Sequence, residues 1–170
     1  DAPGSSVVCS MEGTRPMLTE VQSLVCESNL AVPRRMTTGL DYNRVSLLIA
    51  VLEKRAGFHL GKCDVFVNVA GGIKIMEPAA DLGIVAAIAS SYLNKPLDAN
   101  AVFVGEVGLT GEIRSISHIE KRVSEAYRMG YTKCIVPEGN KKVLSAYIKK
   151  TEDKPGIVYC KNIKEVISKG

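Results

Sequence analysis

The chain has 170 residues, 46% of them hydrophobic and 24% charged, with a net charge of +4, which suits one domain with an ordinary core and excludes a disordered chain. With no Trp and only 5% aromatic residues, the core is expected to be aliphatic. The longest apolar run, 82–89, is too short to cross a bilayer, and +4 permits contact with nucleic acid without demanding it.

No basic, then apolar, then small-residue leader opens the chain, so a cytoplasmic location without membrane contact is expected. The five cysteines form no CxxC pair and have no ligand-spaced His, which argues against a metal site. Each stands in an apolar, strand-like context and is expected to be a buried, reduced thiol.

Residues 1–5 read as a linker. Two extended runs, 7–12 and 17–25, flank Gly13-Thr14-Arg15-Pro16, and the second alternates apolar with polar residues, so a β-hairpin is expected. A polar stretch with Pro33-Arg34-Arg35 follows and reads as a loop. Asp41 stands where it can cap a helix whose apolar positions Val45, Leu48, Ile49, Leu52 and Ala56 recur at helical spacing; Gly57 ends it. Arg44, Glu53 and Lys54 lie on its other face.

Residues 64–70 predict a strand, and Glu77-Pro78 opens a helix to about Leu93. Its stretch 82–89 is apolar on nearly every side, as in a helix enclosed by other elements. A strand over 101–106 precedes a turn at Leu109-Thr110-Gly111. Ser117 and Glu120 have capping-box spacing ahead of a helix that stops at Gly130. Strand 133–136, helix 141–150, strand 156–160 and a short helix from Asn162 then alternate as in a parallel unit. The whole predicts a single α/β domain over 1–170, an α+β mixed sheet opened by a hairpin.

No phosphate-binding G-x-x-x-x-G-K-[ST] is present, and the glycines at 71–72 and 105–111 do not form G-x-G-x-x-G between strand and helix. They read as turn residues. No nucleotide hydrolysis and no cofactor are expected of this domain.

Four segments carry a resemblance: Met11-Glu12-Gly13-Thr14-Arg15-Pro16, Leu52-Glu53-Lys54-Arg55-Ala56-Gly57, Glu77-Pro78-Ala79-Ala80-Asp81-Leu82 and Val104-Gly105-Glu106-Val107-Gly108-Leu109-Thr110-Gly111-Glu112. In this order they resemble the C-terminal domain of the bacterial RadA (Sms) family of recombination proteins, over almost the whole chain. The resemblance implies a Lon-protease-like fold of the ribosomal protein S5 domain 2 type. It also implies a longer parent, with a four-cysteine zinc finger and a RecA-like ATPase that uses ATP and magnesium, for which 1–5 would be the tail of a linker. A homohexamer acting on single-stranded or branched DNA, as a helicase in branch migration and repair, is implied as well.

The chain is also similar, more distantly, to the proteolytic domain of Lon, which uses a Ser nucleophile and a Lys base. The Lon segment G-P-S-A-G falls on Ala79 to Gly83 and puts Asp81 at the nucleophile position. The segment G-L-K-E-K falls on His118 to Arg122, which puts Arg122 at the base position with Lys121 as its nearest substitute. A carboxylate does not replace Ser in forming an acyl intermediate, and a guanidinium does not give up its proton. The Asp81 charge would hold Lys121 protonated, where a Lys base must be neutral. Catalytic residues are therefore expected to be none. The alternative, a residual Ser/Lys peptidase, requires another Ser or Thr to approach Lys121.

Ser90 and Ser91 read as helix residues bonded back to carbonyls, and Glu77 with Asp81 as first-turn acids that offset the helix dipole. His59 and His118 receive no role. The basic pairs give the DNA-contact candidates: Arg34 and Arg35 in their loop, Lys54 and Arg55, and Lys121 and Arg122. Lys141-Lys142 and Lys149-Lys150 read as solvated faces.

Overall fold

The computed structural model describes residues 2–152 and 154–169. Strands β1 (Ser5–Glu12) and β2 (Arg15–Glu27) form the predicted antiparallel hairpin, in register from Ser5–Gln22 to Glu12–Arg15. They join β3 (Arg35–Thr38), β4 (Cys63–Val69), β5 (Ala101–Phe103), β8 (Lys133–Pro137) and β9 (Gly156–Cys160) in one seven-stranded sheet of order β3-β4-β2-β1-β5-β8-β9. β2 runs antiparallel to β1 and β4; the other pairings are parallel. The short strands β6 (Glu106–Val107) and β7 (Ile113–Arg114) pair with each other as a separate hairpin. The α/β class with a mixed sheet is the one the sequence predicts.

Period-2 alternation along the strands feeds two cores, one on each face of the sheet. Val8, Phe103 and Ile135 face helices α1 (Tyr42–Ala56), α2 (Asp81–Leu93) and α5 (Ile163–Lys169), with Leu48, Leu52, Val85, Ile88 and Val166. Their neighbours Cys9, Val102 and Cys134 face α3 (Ile119–Arg128) and α4 (Lys141–Lys150), with Val123, Ala126 and Leu144. α2 is the enclosed helix that its composition predicts: residues 81–90 are all buried. It lies so close to β1 that a Cβ on Gly83 would stand 2.0 Å from Val8 Cγ1, and the Gly83 carbonyl accepts a 2.7 Å bond from Ser6 Oγ.

Several expectations are corrected. The linker over 1–5 ends sooner, because Gly4 N–H donates to Ser90 Oγ at 2.9 Å, its carbonyl accepts from Ser23, and Ser5 already belongs to β1. The stretch after Pro33 read as loop contains β3, which a parallel pairing with β4 extends from Arg35 to Thr38. The strand over 101–106 divides: Gly105 N–H bonds to Ala79 O and Gly105 O accepts from Leu82, so the chain leaves the sheet toward the start of α2. Asp41 occupies the N-cap of α1 without a side-chain cap bond. No capping box forms at α3 either, which starts after His118 in a left-handed conformation, φ 56°.

Ser90 and Ser91 are structural, but their partners lie outside the helix turn: Ser90 Oγ links Gly4 N–H to Lys95 O, and Ser91 Oγ accepts from Val25 N–H. Cys9, Cys134 and Cys160 are buried as expected, whereas Cys26 is exposed on the open face of the β2–β4 ladder and Cys63, at the first position of β4, is half-buried against the core.

Candidate functional site, a Lon-type dyad position closed by ion pairs

The two residues that the resemblance sets at the dyad positions come from opposite sides of β1, each with a partner of its own. Asp81 is the first residue of α2 and only 1% exposed. Arg44, in the first turn of α1, reaches it from the side: Nε lies 3.0 Å from Oδ1, and Nη2 bonds both to Oδ2 and, at 3.0 Å, to the Val107 carbonyl. Val107 N–H donates to Oδ2 at 3.0 Å. One carboxylate thus ties α1, α2 and β6 together. Burial pushes its pKa up, against the Arg44 and Val107 hydrogen bonds, while the bond to Asp81 raises that of Arg44.

Arg122 is also 1% exposed. Its fork closes on Glu77, with Nη2 to Oε2 at 3.0 Å and Nη1 to Oε1; Nη1 also donates to Cys9 O at 2.9 Å and Nε to Ser117 O at 2.9 Å. Glu77 Oε1 accepts Met11 N–H at 3.0 Å. Burial pushes the Glu77 carboxyl up, but the Arg122 bonds, its charge and the Met11 N–H outweigh it and hold the pKa below the usual carboxylate range. Glu77 and Asp81 are therefore committed to separate guanidinium groups, so the shared role as dipole-offsetting acids is replaced by two ion pairs.

Lys121 points the other way: it is exposed and has no ion pair or hydrogen bond among the described residues. A Lys base needs a desolvated amine, and this one stands in water. Beside Arg44, Asp81 and Glu77 lies a cavity of about 100 Å³, lined also by Leu40, Met76 and Pro78.

The DNA-contact candidates separate into two groups. Arg34 is turned to the protein: its N–H and Nη2 bond to Asp64 at 2.7 and 3.0 Å, and its guanidinium lies 5.5 Å over the Phe66 ring. Arg35 donates to the carbonyls of Leu60 and Cys63. They clamp the start of β3 onto the turn before β4, in a strand where the sequence predicts a loop, while the Arg34 side chain stays 55% exposed. Arg122 is withdrawn as a DNA contact, being buried with its donors occupied. Lys54, Arg55 and Lys121 are exposed, with Arg55 Nε 3.4 Å from Leu109 O. α4, KKVLSAYIKK, carries four lysines and no acid, and Lys141 sits 5.5 Å over Tyr159.

Sequence reasoning missed Arg44, which reads as one more cation on the polar face of an amphipathic helix. The one available signal was the acid at position 81, whose burial inside an apolar run demands a partner.

Residues 35–170 match the family described as Lon protease (S16) C-terminal proteolytic domain. The chain is 53% identical over 137 residues to the DNA repair protein RadA of Halalkalibacterium halodurans and 54% identical over 137 residues to that of Bacillus subtilis, in each case 81% of this chain and 30% of the relative. With RadA of Streptococcus pneumoniae it shares 54% over 139 residues, 82% of this chain and 33% of the relative. The matched region is about a third of the length of these relatives. A match over four-fifths of the chain, on an α/β domain with a mixed sheet, places this protein in the Lon protease C-terminal proteolytic domain family.

Proposed function

We propose that this domain does not cleave peptides and serves DNA repair as an assembly scaffold and DNA contact within a RadA-like protein. The observation that carries the reading is the pairing at the dyad positions: an acid and a guanidinium, each 1% exposed, each closed by a partner of opposite charge. A nucleophile has to meet substrate, and neither group can. In such a protein, ATP, magnesium and zinc belong to other parts of the chain, a RecA-like ATPase supplies movement along single-stranded or branched DNA in the cytoplasm, and this domain supplies the base of a hexameric ring.

With Arg35 and Arg122 turned into the protein, DNA contact falls to the exposed cations Arg34, Lys54, Arg55 and Lys121 and to the acid-free helix α4. Such a surface binds phosphates without reading bases.

The test is a fluorescence-anisotropy titration of labelled single-stranded and branched DNA at several salt concentrations. The reading expects affinity that falls with salt, and a log–log slope that drops by about 0.7 for each phosphate-contacting lysine removed when Lys142, Lys149 and Lys150 are changed to Gln. Binding that ignores both salt and these substitutions refutes the DNA contact. Cleavage of a denatured protein substrate, abolished by Lys121→Ala, would instead establish the peptidase.

A further inference from the structure

We infer that the free edge of β9 takes an extended segment of another protein, in which acids alternate with apolar residues, as an eighth strand of the sheet.

β9 closes the strand order beside β8 and has no strand beyond it among the described residues. Its ladder to β8 uses alternate residues only. Gly156 N–H bonds to Thr132 O at 2.9 Å, and the register Cys134–Ile157, Ile135–Val158, Val136–Tyr159 turns the N–H and C=O of Val158 toward β8 as well. Those of Ile157 and Tyr159 point the other way, and no backbone partner meets them among the described residues. Exposure agrees: Ile157, Val158 and Tyr159 are half-buried, where Cys134, Ile135 and Val136 beside them on β8 are at most 1% exposed. The free stretch has fixed ends. Before it, Lys154 Nζ bonds to the carbonyls of Ile148 and Thr151 at 2.8 and 3.0 Å and pins the turn after α4. After it, Ile113 N–H takes Lys161 O at 2.8 Å.

The edge carries no guard of its own. Sheet edges are kept from pairing by a charge, a proline or a bulge within the strand, and Gly-Ile-Val-Tyr-Cys, in unbroken register with β8, has none of them. β3, at the other edge of the sheet, has Arg35.

Charge selects what pairs there. Residues 141–170 hold eight lysines and three acids, an excess larger than the net charge of the whole chain, +4. Lys154 precedes the strand and Lys161, 70% exposed although it pairs with Glu138, follows it. Between them Lys141 Nζ lies 5.5 Å from the centre of the Tyr159 ring. Ile157 and Tyr159 lie on the face that α4 covers, and Val158 with Ile167 on the face that α5 covers. A strand laid along β9 therefore turns every second side chain toward the lysines of α4 and the rest toward the apolar side of α5, which suits acids alternating with apolar residues. A basic segment is repelled. A second copy of this chain does not fit either, since its β9 brings the same lysines and its β3 brings Arg35, with Arg34 just before it.

The test uses the 170-residue chain and an alternating Glu–Val octapeptide, followed by fluorescence anisotropy and by amide exchange. Binding is expected, with exchange at Ile157 and Tyr159 slowed. N-methylating the central amides of the peptide removes its donors and leaves its charge; it is expected to weaken binding by about tenfold. A Lys–Val octapeptide is expected not to bind. In the protein, Ile157→Pro removes an outward N–H and leaves the bonds to β8 in place, so it is expected to weaken the Glu–Val peptide in the same way, with native circular dichroism as the check. The methylated peptide probes the same edge without touching the fold. No binding, or binding that N-methylation leaves unchanged, overturns the added strand. A Lys–Val peptide that binds as well as Glu–Val overturns the choice of an acidic partner. Protection at Arg35 and Thr37 in place of Ile157 and Tyr159 overturns the choice of edge. Displacement by single-stranded DNA of a peptide indifferent to N-methylation gives these lysines to phosphate and overturns a protein partner.

Discussion

Arg44 and Asp81 bind each other at two points where α1, α2 and β6 meet, with Nε 3.0 Å from Oδ1 and Nη2 shared between Oδ2 and the Val107 carbonyl. The pair makes a strut of the residue that the resemblance sets at the Lon nucleophile's place.

Removing one half of that strut leaves the other half charged and buried. Arg44→Met is expected to lower the free energy of unfolding by about 3 kcal/mol, read as a shift of the urea midpoint at constant slope. Arg44→Met with Asp81→Leu is expected to recover most of the loss. If the double substitution costs the sum of the two single ones, the residues are not coupled as the geometry requires.

Placing Ser and Lys at the positions that the resemblance assigns to the dyad is not expected to give catalysis. In a chain carrying Asp81→Ser and Arg122→Lys, the amine at 122 would lie beside Glu77, whose charge keeps it protonated. No hydrolysis of a fluorogenic peptide and no labelling by a serine-directed probe are expected at neutral pH. Turnover above background in that variant would mean that Glu77 is not what holds the base position inactive.

The acid limb of stability has contributions of opposite sign. Glu77 has a lowered pKa, so its share of stability is present above the unfolded carboxyl value of 4.5 and is lost as pH falls through its folded value. Glu112 behaves alike over the window from 4.5 down to about 2. Asp81 is raised above 3.8, so it favours the folded state as pH falls through its folded value toward 3.8. Glu77→Gln is therefore expected to flatten the decline of the denaturation midpoint below pH 4.5, and Asp81→Asn to steepen the decline above pH 3.8. Parallel profiles for both variants and the parent would contradict these assignments.

Cysteine reactivity should sort by cover. Cys26 is exposed, while burial pushes the Cys9 thiol up to about 11 and the Cys134 thiol up to about 12. Iodoacetamide under native conditions is expected to label Cys26 first and Cys63 more slowly, and to reach Cys9, Cys134 and Cys160 only in denaturant. Equal rates at all five, followed by mass spectrometry, would mean that the sheet opens far more readily than its two cores imply.

What the sequence makes legible here is what is encoded locally. α4 and β9 run over 141–150 and 156–160, as their patterns predict, and the β1–β2 hairpin is plain from alternation around Gly13-Thr14-Arg15-Pro16. β3 is invisible because Arg-Met-Thr-Thr has no apolar alternation; it is a strand only because β4 lies beside it. The dyad positions are assigned through the family's segments, which say nothing of the partners at 44 and 77. Arg44 meets Asp81 across 37 residues and Arg122 meets Glu77 across 45, distances at which no periodicity links one side chain to another. The partner of Arg34 is hidden for the same reason: Asp64 comes to it from a strand 30 residues later.

The contact between Gly83 and Val8 makes the middle of the molecule behave as one casting. With 2.0 Å between Val8 Cγ1 and the site of a Cβ on Gly83, even a methyl group there would wedge α2 away from the hairpin strand. Asp81, two residues earlier on the same helix, would move with it, and Arg44 and the Val107 amide would both lose their aim. A single hydrogen in place of a side chain thus sets the alignment of a site whose chemistry lies at another residue, and a fault at 83 would be felt first as a charge left alone at 81.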